Sequence, residues 1–134
     1  MPLLENIKRN FKKKELKGLA LDAYFVSEKL AERTLANKGF VYGYKKKRSD
    51  GIPTDKFATL MNIGGPTLVL HIGERADGQG LEMQGKVDKR LGKVYERSEM
   101  QIREKPHEVF IRLEWVHDLM DIKEFIDEVY EKRR

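Results

Sequence analysis

Apolar residues change their spacing twice along this chain, from helical at the front to alternating in the middle and back to helical at the end. Leu3, Leu4, Ile7 and Phe11 fall on one helical face, with Pro2 suited to a first turn and Lys8, Arg9, Lys12 and Lys13 on the opposite side. Gly18 interrupts this run. A second helix is expected from about Leu19 to Asn37, because Leu19, Ala23, Val26, Leu30 and Ala31 share a face and Asn37-Lys38-Gly39 supplies a stop.

From Gly39 the period becomes two. Phe40, Tyr42 and Tyr44 alternate in a strand over 39–46 that runs into Lys45, Lys46, Lys47 and Arg48, and the segment 48–55 is dense in turn formers. Phe57, Thr59 and Met61 alternate next. Gly64-Gly65-Pro66 then turns the chain into Thr67–Ile72, which predicts a β-hairpin whose second strand, apolar on both faces, is central. Asp77–Gly80 reads as another turn, followed by a weaker strand near Leu81–Val87, a charged connection over 88–93 and an extended segment over 94–103. After Pro106, Val109, Ile111 and Leu113 share a strand face. The last element has the clearest pattern, with Ile122, Phe125, Ile126, Val129 and Tyr130 forming an apolar helical stripe and Asp121 and Glu124 in capping-box spacing. These elements predict an α+β fold: an antiparallel β-sheet of about five strands with two N-terminal helices and one C-terminal helix packed on it, in a single domain over 1–134.

Composition sharpens this picture in two ways. Hydrophobic residues make up 40% of the 134 residues and charged residues 37%, so a compact core with a heavily charged exterior is expected. The absence of cysteine excludes disulfides, thiolate chemistry and cysteine-ligated zinc. No signal peptide or apolar run of spanning length is evident, and a cytoplasmic location is the expectation. The net charge of +5 is uneven: residues 1–48 hold 13 Lys or Arg against 5 Asp or Glu, and the remainder 14 against 17. The positive field therefore belongs to the front of the chain and favours an anionic partner without specifying which.

Candidate chemistry is sparse. His71, His107 and His117 show no metal-ligand spacing, the glycine-rich turns match no phosphate-binding fingerprint, and Asp118 and Asp121 bracket a helix start where capping accounts for them. No catalytic motif, metal site or cofactor is implied. His71 with Asn62 on the preceding strand defines a candidate ligand pocket, and Trp115 is expected to pack beneath the terminal helix. The order of helix, antiparallel strands and terminal helix, with His107–Leu113 leading to Asp121–Tyr130, resembles small bacterial domains of the YdhG-like and MmcQ/YjbR type over about residues 39–134. That resemblance implies an α+β fold, with DNA binding suggested for some members and iron chaperoning for others, and it transfers no functional residue.

The leading expectation is a noncatalytic module that binds nucleic acid. Lys12, Lys13, Lys14, Lys45, Lys46, Lys47 and Arg48 would contact phosphates, and Tyr42 or Tyr44, facing outward, would offer a stacking surface. The alternatives are a small-molecule-binding protein or enzyme with a pocket near Asn62 and His71, and an interaction module for an acidic protein.

Overall fold

The computed structural model describes residues 3–11, 17–35, 42–62, 65–73 and 79–133. Phe40 and Lys12, Lys13 and Lys14, named above, lie outside these residues. The chain runs α1 (Leu3–Phe11), α2 (Lys17–Ala23), a π-helical turn (Tyr24–Glu28), β1 (Glu32–Leu35), β2 (Tyr42–Lys47), β3 (Pro53–Asn62), β4 (Pro66–His71), α3 (Gln79–Leu91), α4 (Glu99–Glu104), β5 (Glu108–Arg112), a 3-10 turn (Leu113–Trp115) and α5 (Met120–Lys132). The five strands form one antiparallel sheet in the order β1-β2-β3-β4-β5. The α+β class, the two N-terminal helices and the C-terminal helix are as the sequence pattern predicts. No helix among the described residues is long and apolar enough to cross a membrane.

Pairing fixes which side chains share a sheet face, because partners across an antiparallel ladder point the same way. One face carries Tyr44, Ala58, Leu60, Leu68, Leu70, Val109 and Ile111, and these residues form the core with the buried sides of the helices. Ile7 and Phe11 of α1 are buried there, as are Ile122, Phe125, Ile126 and Val129 of α5. Phe25 lies at the centre, its ring centroid 4.7 Å from Tyr44 and 5.5 Å from Phe57, and Phe57 in turn meets Tyr130 edge-on at 5.2 Å. Such tilted and edge-on pairs add to the area term that drives burial.

Several local expectations are corrected. The second helix does not reach Asn37. Its regular part ends at Ala23, the π turn closes with Lys29 N–H donating to Tyr24 O and Ala31 N–H to Phe25 O, and Leu30 at φ 54° reverses the chain into β1. Glu32–Leu35 become a strand because β2 offers them a ladder, a tertiary gain that local helical spacing does not register. The expected strand at 81–87 is helix α3. Its buried stripe is Gly80, Met83, Gln84 and Val87, a helical series hidden in the sequence because two of its positions are glycine and glutamine. Gln84 is there for its amide: Oε1 accepts from Phe110 N–H at 2.7 Å and Nε2 donates to Phe110 O at 2.9 Å, which pairs the outer edge of β5.

The extended segment expected over 94–103 ends in α4, which Ser98 and Gln101 start as a reciprocal capping box. At α5, the cap is supplied by Asp118, whose Oδ1 accepts from Met120 N–H at 2.9 Å, and not by Asp121 with Glu124. Trp115 does not lie beneath α5 but meets Tyr95 at 6.2 Å.

Asp127 joins the π turn to α5. Its carboxylate accepts from Tyr24 Oη at 2.7 Å and Lys123 Nζ at 2.7 Å, and pairs with Lys29 Nζ at 2.9 Å. Burial alone pushes this carboxyl up, but the hydrogen bonds from Lys123, Tyr24 and Lys29 and the Lys29 charge outweigh it and hold Asp127 below the usual carboxylate range. A carboxyl depressed in the folded state contributes stability above its unfolded value near pH 3.9 and loses it as pH falls through the lower folded value. Denaturant titrations between pH 5 and pH 2 should therefore show a shallower loss of stability in Asp127→Asn than in the wild type, although the variant is less stable at neutral pH. Parallel acid slopes would rule out this role.

Candidate functional site

A cleft of about 450 Å³ opens between the start of α2, the β1–β2 pair and the hairpin end of β3 and β4. Its walls are mostly apolar, from Leu19, Tyr42, Leu60, Met61, Pro66 and Leu113, and its polar groups are Lys17, Asp22, Arg33, Asn62, Thr67 and Glu114 together with the Tyr44 hydroxyl. Leu19 is 66% exposed and Tyr42 39% exposed, so large apolar surface faces solvent at this end of the molecule.

Asp22 organises the polar side. It lies on α2, and β1 and β2 bring Arg33 and Tyr44 side by side as a cross-strand pair on the helix-covered face. Tyr44 donates its hydroxyl to Asp22 Oδ1 at 2.6 Å, and Arg33 Nη1 donates to both carboxylate oxygens at 3.0 and 2.9 Å. The Arg33 guanidinium also lies 5.8 Å from the centroid of the Tyr42 ring. One carboxylate thus gathers a hydroxyl from the core and a guanidinium from the edge strand. Burial first, then the hydrogen bond and charge of Asp22, hold the Tyr44 phenol well above its usual range, so it stays a donor throughout the physiological interval.

Lys17, only 6% exposed, closes the cleft from the side of the 3-10 turn. Its ammonium donates to Leu113 O at 3.0 Å and to Val116 O, and lies 5.9 Å from the centroid of the Phe11 ring. Three sources of negative potential around one buried cation offset much of its desolvation. Neither Lys17 nor Asp22 stands out in the sequence. Their only signal is helical spacing, since a charge at each end of a single short helix can reach two different partners.

The sequence candidates divide among several places. Asn62 does line the cleft, and its Oδ1 accepts from Gly65 N–H at 2.9 Å. His71 does not join it, because the β3–β4 register sets Asn62 opposite Pro66 at one end of the hairpin and leaves His71 at the other. The His71 ring is instead occupied, with Nε2 2.8 Å from Thr59 Oγ1 and Nδ1 3.0 Å from Glu108 Oε2. Burial pushes the Glu108 carboxyl up, but the His71 hydrogen bond and charge, with Lys105 and His107, hold it below its usual range. The pocket expected at His71 with Asn62 is therefore corrected to one at Asp22 and Arg33.

Tyr44 is fully buried and offers no stacking surface, which corrects the role expected of its ring. Lys46 turns back to the core side, where its ammonium lies 4.6 Å from the centroid of the Tyr130 ring and donates to Tyr130 O at 3.4 Å. Lys45 is half-buried, and Lys47 and Arg48 are exposed at the end of β2. The four consecutive cations are thus not one cluster. No group of three or more His, Cys, Asp or Glu able to hold a metal ion occurs among the described residues. Comparison of the chain with protein-family models, curated proteins and solved structures finds no match.

The Tyr44–Asp22 contact makes a measurable prediction. Tyr44→Phe keeps the ring and removes the donor, and should lower stability by about 1.5 to 3 kcal/mol, as for a hydrogen bond to a charged group. A phenol raised in the folded state contributes stability that is whole below its unfolded value near pH 10 and declines as pH rises towards the folded value. Wild-type unfolding by base should accordingly be steeper than that of Tyr44→Phe. Identical midpoints and identical alkaline slopes would show the contact to be energetically silent.

Proposed function

We propose that this chain is a small-molecule-binding protein whose ligand occupies the cleft over Asp22 and Arg33. The observation that carries this reading is the coincidence of a largely apolar concavity with one polar cluster held in place by its own hydrogen bonds. Ligand sites combine such walls with a few convergent polar groups that fix orientation. The size suits a molecule with one or two rings, and Tyr42, Leu19 and Leu60 suit an apolar or aromatic body.

The polar end of that ligand meets Arg33 and Asp22, which together donate and accept, so a head group that is anionic or forms paired hydrogen bonds fits best. Rigidity supports recognition here. Asp22 is fixed by two donors and Tyr44 by the core, so little side-chain freedom is lost when a ligand arrives. The groups gathered in the cleft satisfy one another, which suits binding more than proton transfer.

Anilinonaphthalene sulfonate, an aromatic body with an anionic head, is a suitable first probe. It should bind saturably at a single site, and native mass spectrometry will show whether the purified protein retains a ligand of its own. Gly18→Leu adds a side chain where a Cβ meets nothing within 4 Å, and it improves helix propensity at the same position. This variant should abolish saturable binding while the melting temperature holds or rises, and Arg33→Met should weaken the probe about tenfold. Equal probe affinity in wild type, Gly18→Leu and Arg33→Met would overturn the proposal.

A further inference from the structure

The second face of the sheet is built differently from the first. Thr34, Gly43, Thr59, Val69 and Phe110 form one row across all five strands, and Met61, Thr67 and Arg112 form the next. Thr59, Thr67, Val69 and Phe110 lie outside the hydrophobic core cluster, which occupies the other side. The short residues of this face are buried among long ones. Lys56 lies across the strand at Gly43, where a Cβ would come within 2.6 Å of its chain, and Arg112 reaches the backbone at Gly65.

Cations and rings alternate towards the β5 side. Tyr95 stacks on Phe110 with centroids 5.2 Å apart and planes 20° from parallel, and Trp115 meets Tyr95 edge-on. Arg97 lies 4.7 Å from the Phe110 centroid, Arg112 5.6 Å from Tyr95 and Lys93 5.8 Å from Trp115. None of these three rings is fully buried. Arg112 is only loosely engaged: its buried Nε has no hydrogen-bond partner and forms a long ion pair with the Glu114 carboxylate at 4.0 Å. On the same face Lys45 stands between Glu32 of β1 and Lys56 of β3, while the carboxylate of Glu108 is engaged by His71.

We infer that this sheet face binds single-stranded nucleic acid. Sequence-tolerant single-strand sites combine a basic surface for the backbone with aromatic rings for the bases, and both occur here on one side of the sheet. Phosphates meet Lys56, Lys93, Arg112 and Lys45, and bases stack at Tyr95 and Trp115. An acidic protein would use the cations and leave the rings unused. The face adjoins the cleft at Met61 and Thr67, which belong to both, but the cations and rings named here do not line the cleft.

Trp115 is the single tryptophan of the chain, so its fluorescence reports contact at this face directly. A twenty-nucleotide oligothymidylate should quench it saturably. Four neutralised phosphates give a salt slope of about −2.8, so affinity should fall roughly fifty-fold between 50 and 200 mM salt. Lys56→Gln and Lys93→Gln, both at accessible side chains, should each lower the slope by about 0.7, and Tyr95→Leu should weaken binding without changing it. Lys47→Gln, at the strand end, should bind as the wild type does. The inference is overturned by absence of binding at 50 mM salt, by binding without Trp115 quenching, or by equal quenching with polyaspartate, which would mark the face as a site for acidic protein.

Discussion

The contact on which most of this structure depends is made by Tyr44. Its ring is fully buried against Phe25, and its hydroxyl reaches out of the core to Asp22. A single side chain thereby fixes the distance between β2 and α2. Everything along the cleft follows from that spacing, because Arg33 is its cross-strand neighbour and Lys17 and Asp22 stand on the helix it holds. A phenylalanine would fill the core equally well but would leave the carboxylate with one donor fewer. Here the polar end of an amphipathic residue sets geometry that the apolar end alone would leave loose.

The parts of the fold that were legible in the sequence are those in which burial and periodicity agree. The α5 stripe, the β3–β4 hairpin and the buried face of α1 all combine apolar side chains with regular spacing, and the structure has them where the pattern predicts. The α3 helix was not legible because its buried positions include Gly80 and Gln84, chosen for close approach and for hydrogen bonding, respectively. A Cβ at Gly80 would run into the Pro106 carbonyl oxygen, and Gln84 bonds the backbone of β5. The β1 strand is hidden in the sequence for the opposite reason. Its residues are acceptable in a helix, and only the ladder with β2 makes them a strand.

The site was less legible than the fold. Aromatic alternation pointed to Tyr44 and charge to Lys45 through Arg48, yet the bulges between β2 and β3 and the turn to the core scatter those cations among different environments. The residues that do converge, Lys17, Asp22 and Arg33, are ordinary charges in the sequence, and Arg33 reaches the helix that carries the other two only through the register of β1 with β2. Conversely, the rings of Tyr95, Phe110 and Trp115 come from two separate segments and gather only once β5 is in place. Pairing and not local composition thus decides where chemistry can accumulate on this chain.

The Gln84 amide has a consequence that reaches beyond the fold of one molecule. A sheet edge with unpaired N–H and C=O groups is a template for another chain, and proteins cover such edges. Here a side chain of α3 occupies Phe110 in the way a neighbouring strand would, and the helix that carries it is held close by Gly80. The opposite edge is β1, of which Glu32–Leu35 pair with β2 among the described residues. Loss of the α3 contact would thus do more than loosen a helix: it would open β5 to other copies of the chain, and damage to a helix would be seen first as self-association of a sheet.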